Sequence, residues 1–226
     1  MLQHVYQRYR GGCMMLFSKM DEEASFLGTA FLVHTEGYLL TAAHLLHGQE
    51  DLLVEPFTMS AVEFVPLSLE TIRPVGASVV ESDADRDIAL LKIRDELDIA
   101  APDHILGRSR DVQIGSNLAC IGYPFGYQGL HNQVILQSVL ASKILSRKGT
   151  NILLFDSMVH NGSCGGPLIN LQDGRVIGVV SGRFHPSYVT DGIPREDSLA
   201  AATNLSFAVA VEYGQELLEA QGLEVT

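Results

Sequence analysis

Basic charge is scarce in this 226-residue chain: 15 lysines and arginines stand against 27 aspartates and glutamates, a formal net charge of −12. Nucleic acid and anionic membrane both demand a basic face, so neither is expected as a partner. Cysteine is scarcer still. Cys13, Cys120 and Cys164 form an odd set without the spacing of a disulfide framework or a metal cluster, and such usage points to a reducing, cytoplasmic location. No apolar run approaches the roughly 20 residues of a membrane span. The start, Met1-Leu2-Gln3-His4-Val5-Tyr6, lacks the apolar core and cleavage site of a secretory leader. Internal repeats, low-complexity tracts and charge blocks are missing too, and nothing in the pattern asks for a cofactor.

What is present is apolar patterning. At 46% hydrophobic residues the chain can bury a sizeable core. Leu2, Val5, Tyr6 and Tyr9 recur at helical spacing before Gly11-Gly12, which predicts a short N-terminal helix on the outside of the fold. Thereafter the pattern changes to strand-like runs punctuated by glycine, proline and acidic residues: Cys13–Phe17, Gly28–His34, Tyr38–Leu40, Leu52–Phe57, Val62–Leu67, Ala77–Glu81 and Ile88–Ile93. A second series covers Asn117–Ile121, Asn132–Leu145, Ile152–Asp156, Pro167–Asn170, Val176–Arg183 and Ser206–Ala210. Many short strands without intervening helices predict an all-β architecture, divided naturally into two barrels of about six strands. The linker is expected near Asp98–Asp111, giving an N-terminal barrel over residues 1–105 and a C-terminal barrel over 106–226. Tyr213, Leu217 and Ala220 share a helical face, and Gly222 offers a stop for a C-terminal helix.

Chemistry concentrates in the turn Asn161-Gly162-Ser163-Cys164-Gly165-Gly166-Pro167. A nucleophile attacking an acyl carbon needs donors in place for the oxyanion that forms, and glycines let backbone approach closely without a Cβ clash. Cys164 is the candidate nucleophile. Upstream, Thr41-Ala42-Ala43-His44 puts a histidine after an apolar strand and two small residues, and Asp87 abuts the nearly continuous apolar run Ile88-Ala89-Leu90-Leu91. Each feature alone has an ordinary reading as a surface turn, a packed histidine or a solvated acid. His, Asp and a nucleophile in this chain order, with a Gly-x-nucleophile-Gly-Gly-Pro turn, are more than the sum.

On those three motifs the chain resembles the chymotrypsin-like peptidases. Within them it is most similar to the high-temperature-requirement branch, through Gly28-Thr29-Ala30-Phe31 followed by Gly37-Tyr38-Leu39-Leu40-Thr41, through Gly122-Tyr123-Pro124-Phe125-Gly126, through Asp156 eight residues before the nucleophile, and through Ser206-Phe207-Ala208-Val209. The resemblance covers about residues 25 to 220 and implies two six-stranded antiparallel barrels with the active site between them. By position it implies that Cys164 attacks the scissile carbonyl, that His44 takes and returns the proton, that Asp87 orients His44, and that the N–H groups of Gly162 and Cys164 form the oxyanion hole. Ser163 is out of register to be the nucleophile.

Two departures from that branch stand out. Its downstream peptide-binding domain is not found after the C-terminal helix, so regulation through such a domain is not expected. And the nucleophile position holds cysteine rather than serine, in a Gly-x-Cys-Gly turn like that of viral chymotrypsin-like cysteine proteases. Three readings stay open: a native cysteine nucleophile, a serine replaced by cysteine, or a degenerate chain that binds peptide without cutting it.

For specificity the resemblance places the pocket between the segment before the nucleophile and the strand Gly178-Val179-Val180-Ser181-Gly182. Met158 stands where trypsin-like enzymes carry an acid that reads arginine or lysine, so small or medium apolar residues are expected. Val180 stands where glutamine-reading viral enzymes have histidine, His160 flanks the pocket, and Ser181 is expected to hydrogen-bond Asp87. An extended polypeptide substrate would pair with the strand through Gly182. An activating partner or homo-oligomer is the further expectation, with Gly126–Asn132 and Phe184–Asn204 as the mobile segments. His44 and His47 are spaced to share a metal on a helix, but no third ligand accompanies them.

Overall fold

Side chains alternate between the two faces of a strand, and a run that is apolar on both faces must be buried on both. The strand Ile88–Ile93 shows how this chain meets that demand: Ala89, Leu91 and Ile93 fill the inside of one barrel, while Ile88 and Leu90 face a second apolar layer between two barrels. Asn117–Gly122 does the same from the other side, with Leu118 and Cys120 inside and Ala119 and Ile121 in the shared layer.

The computed structural model describes residues 1–20, 23–57, 64, 74–95, 105–184 and 203–224. Strands β1 (Cys13–Met20), β2 (Glu23–His34), β3 (Tyr38–Thr41), β4 (Asp51–Pro56), β5 (Val75–Asp83) and β6 (Ile88–Ile93) close a barrel in the order β1-β2-β3-β6-β5-β4. Strands β7 (Asn117–Gly122), β8 (Val134–Leu145), β9 (Asn151–Asp156), β10 (Pro167–Asn170), β11 (Arg175–Arg183) and β12 (Leu205–Ala210) close another in the order β10-β11-β12-β9-β8-β7. Neighbouring strands pair antiparallel in both. The two-barrel expectation therefore holds. The run at Val62–Leu67 lies outside the described residues apart from Phe64, as do 98–104 of the linker segment and 185–202 of the segment Phe184–Asn204.

Helix α1 (Leu2–Tyr9) buries Val5 and Tyr9 in the layer between the barrels, and the Tyr9 hydroxyl donates to the Gly174 carbonyl at 2.6 Å. Helix α2 (Glu212–Ala220) buries Tyr213, Gly214, Leu217 and Leu218. Ala220, expected on that face, is exposed because the helix ends there. Gly214 lets α2 close on the first barrel: a Cβ on it would lie 2.4 Å from Leu40 Cδ1. Among the described residues no helix is long and apolar enough to cross a membrane.

Candidate active site

Strand β3 delivers the chain into a 3₁₀ turn, Ala43–Leu46, that buries Ala43, Leu45 and Leu46 and leaves His44 to project. The turn stops at His47, whose φ of 48° is left-handed. On the facing side, the turn between β5 and β6 carries Asp87 at φ 56°, a conformation that a short polar side chain tolerates better than most. Asp87 is 2% exposed. Its Oδ1 accepts the backbone N–H of His44 at 2.9 Å, and both carboxylate oxygens lie 2.9 Å from His44 Nδ1. The carboxylate thus fixes the histidine's ring and its main chain together.

The second barrel braces this turn from outside. The guanidinium of Arg86 donates to Glu216 of α2 at 2.6 Å and lies over the Tyr213 ring, 4.7 Å from its centre. Lys148, between β8 and β9, donates to Asp85 at 2.6 Å. These pairs are exposed, so solvent screening leaves each of them little effect on stability.

The ring of His44 is also hydrogen-bonded to Cys164, whose residue is only 3% exposed. Burial works against the charge on His44, but the hydrogen bonds to Asp87 and Cys164 and the negative charge of both outweigh it and push its pKa up to about 10. An imidazolium beside a thiol favours the thiolate. His44, Asp87 and Cys164, far apart in sequence, are therefore brought into one hydrogen-bonded row, with His44 keeping 30% of its side chain open to solvent.

Three glycines make the Cys164 turn possible. A Cβ on Gly162 would lie 2.0 Å from the Tyr123 carbonyl, one on Gly165 (φ 84°) 2.0 Å from the Thr29 carbonyl, and one on Gly166 2.3 Å from the Ile121 carbonyl. The turn also departs from expectation. Asn161–Ser163 forms a 3₁₀ turn in which the N–H of Cys164 donates to the Asn161 carbonyl at 3.0 Å and that of Ser163 to the His160 carbonyl at 2.8 Å. The Cys164 donor expected in an oxyanion hole is thus occupied by its own turn.

The expected pocket residues are distributed unevenly. Met158 is 43% exposed, and the His160 ring packs against Phe125 with centroids 5.1 Å apart. Val180 corrects its expectation: its side chain is fully buried inside the second barrel, and its backbone instead anchors the turn, accepting from Gly165 N–H at 2.7 Å and donating to Gly166 at 2.9 Å. Ser181 is corrected too. The β11–β12 register shifts between Val180 and Gly182, and Ser181 Oγ is buried without a hydrogen-bond partner among the described residues, so the bond to Asp87 is not made. Gly182, past the shift, is half-buried. Among the described residues no group of three or more His, Cys, Asp or Glu is arranged to hold a metal.

Thr29, Thr41 and Asn161 act on the turn and were not singled out from sequence. For Thr29 and Thr41 a signal existed: a hydroxyl inside an apolar strand has to find a buried partner.

Two closed six-stranded antiparallel barrels, with His44, Asp87 and the Cys164 turn meeting at their junction, define the chymotrypsin-like class. The family model of the trypsin-like peptidase domain matches residues 28–179, and the chain belongs to that family. It is 30% identical over 201 residues to a probable periplasmic serine endoprotease, DegP-like, of Halomonas elongata, covering 88% of this chain and 36% of the relative. It is 32% identical over 162 residues to serine protease HTR4 of Rattus norvegicus, covering 70% and 30%. The chain thus spans about a third of the length of these curated relatives. The solved structure of the HtrA-type protease AlgW with tripeptide shares the fold, with a TM-score of 0.71 at 24% identity over 97% of this chain and 63% of that one.

The cytoplasmic expectation is overturned. Bacterial relatives from Halomonas elongata and Hahella chejuensis are named periplasmic endoproteases, and that finding stands against it. The cysteine argument failed for a physical reason: Cys13, Cys120 and Cys164 are buried in three separate core clusters, so the lack of disulfide spacing among them does not report a compartment.

Proposed function

We propose that this chain is an endopeptidase in which the Cys164 thiolate attacks the scissile carbonyl, His44 shuttles the proton to the leaving amine, and Asp87 holds His44 in place. The observation that carries the reading is the His44 ring, bridged between the Asp87 carboxylate at 2.9 Å and Cys164. The relatives are named serine proteases; in this reading the nucleophile here is sulfur in place of oxygen. Acyl transfer needs the N–H groups of Gly162 and Cys164 aimed at one oxygen. That requires the Asn161–Gly162 peptide to turn its carbonyl away from the Cys164 N–H, a switch suited to an activating partner, to a homo-oligomer or to the substrate itself. The exposed, uncharged Met158 supports a preference for small or medium apolar residues at the cleaved position.

The occupied Cys164 N–H supports a second reading, a module that binds extended peptide without cutting it. Incubation with an unfolded protein and mass spectrometry of the products separates the two. Discrete fragments that disappear in both Cys164→Ala and His44→Ala are expected. Intact substrate under every condition, with peptide still bound, would establish the binding module instead.

A further inference from the structure

Thr29 of β2 makes more contacts with the Cys164 turn than its place in the opposite barrel suggests. It is fully buried. Its Oγ1 donates to the Gly162 carbonyl at 2.7 Å, across 133 residues of chain, and accepts the N–H of Tyr123 at 3.2 Å. Its backbone N–H donates to the Cys164 carbonyl at 2.9 Å, and its own carbonyl accepts Thr41 Oγ1 at 2.7 Å. One residue of the first barrel therefore grips the carbonyls on both sides of Ser163, and a second buried threonine holds that residue.

The choice of carbonyls matters. The hydroxyl of Thr29 ties down the peptide that follows Gly162, whereas the peptide that precedes it, Asn161–Gly162, is the one whose carbonyl covers the Cys164 N–H. The side of Gly162 where a Cβ would project is closed by the Tyr123 carbonyl, and the backbone N–H of Tyr123 is bonded to the same hydroxyl. The Thr29 hydroxyl thus immobilises one peptide plane and the strand end beside it, leaving the neighbouring plane to move.

We infer that Thr29 is a positioning residue for the oxyanion site: its hydroxyl fixes the Gly162–Ser163 peptide so that the Asn161–Gly162 peptide alone turns to present the Gly162 and Cys164 N–H groups. This rests on the reading of Cys164 as the nucleophile. A valine there keeps the shape but leaves the Gly162 carbonyl and Tyr123 N–H unpaired, and misplacing a group by about 1 Å can cost on the order of 10²-fold in rate.

The test compares Thr29→Val and Thr29→Ser in the full chain by three readouts. Cleavage gives kcat and KM. Capture of a peptide aldehyde, in which the Cys164 thiolate forms an S–C bond while the C=O π pair moves to oxygen, requires the oxyanion donors. Alkylation by iodoacetamide, in which sulfur displaces iodide at a saturated carbon, requires the thiolate but no oxyanion hole. Thr29→Val is expected to lower kcat and aldehyde affinity about 10²-fold with KM and alkylation rate within about two-fold, and Thr29→Ser to restore both. Undiminished kcat and aldehyde capture in Thr29→Val overturn the inference. Parallel loss of alkylation also overturns it, because Thr29 would then be holding the fold rather than the donors. If Thr29→Val does not fold, Thr29→Ser and Thr41→Val carry the comparison, Thr41→Val being expected to show a weaker version of the same split. A wild-type chain that is alkylated at Cys164 yet cuts nothing sinks the proteolytic reading, and aldehyde capture then still decides the role of Thr29.

Discussion

Asp87 holds His44 at two points, the backbone N–H and the ring Nδ1, each at 2.9 Å, from a left-handed backbone at φ 56°. Because one carboxylate does both, substitutions separate electrostatics from backbone. Asp87→Asn tolerates the conformation but presents an amide that cannot accept at every contact, and a loss on the order of 10⁴-fold in kcat is expected, as in the serine-protease template. Asp87→Ala loses the carboxylate and adds a left-handed penalty of about 1–2 kcal/mol. Urea denaturation is expected to rank Asp87→Asn above Asp87→Ala, and the opposite ranking would remove the backbone from the account.

The raised pKa of His44 makes two pH predictions. The folded value of about 10 lies above the ordinary 6.5, so the charge on His44 stabilises the fold fully below about pH 6.5 and that contribution fades as pH rises through about 10. Stability curves for wild type and His44→Ala should therefore converge between neutral pH and pH 10. Alkylation of Cys164 should persist at pH 6 in the wild type and, in His44→Ala, shift to alkaline pH, because the thiol loses the imidazolium that favours its thiolate. Identical alkylation profiles would rule out the imidazolium–thiolate pair.

The turn glycines allow no Cβ. Gly162→Ala and Gly165→Ala would each place a methyl 2.0 Å from a backbone carbonyl that cannot move aside. A destabilisation of about 3 kcal/mol, with cleavage lost, is expected for each. Thermal melts check the first part and peptide cleavage the second.

The brace across the barrels divides into a weak part and a strong part. Lys148→Ala removes an exposed, solvent-screened ion pair and should leave the melting temperature essentially unchanged. Gly214→Ala, which would stabilise an open helix by about 1 kcal/mol, is expected here to destabilise by about 1–3 kcal/mol, because its methyl meets buried Leu40 at 2.4 Å. A melting temperature raised by Gly214→Ala would show that α2 is free to shift.

Specificity offers the remaining check. Profiling with a peptide library should favour small or medium apolar residues at the cleaved position, and Met158→Asp should bring in lysine and arginine by supplying a charge partner. An unchanged profile would take Met158 out of the pocket.

Much of the architecture was legible locally. Strand runs such as Ile88–Ile93 and Asn117–Ile121 were marked by their apolar patterning, the glycines around Cys164 announced a tight turn, and the order His44, Asp87, Cys164 carried the chemical suggestion. The strands and the turn are properties of neighbouring residues, which encode them, whereas the order of His44, Asp87 and Cys164 is read along the whole chain. The location was misread because a free cysteine looks the same in sequence whether it is reduced by its compartment or merely buried, as Cys13 and Cys120 are.

What the sequence determined by itself was that backbone could come close around Cys164, where glycines stand at 162, 165 and 166, and that the acid Asp87 abuts an apolar strand. What tertiary structure decided was which way each group faces. Thr29 reaches Gly162 across 133 residues, Val180 turns its side chain into the second barrel, Ser181 is bulged away from a partner, and the Cys164 N–H is taken by Asn161. Hydrogen-bond direction and strand face depend on the register between distant segments, which no local pattern of residues specifies.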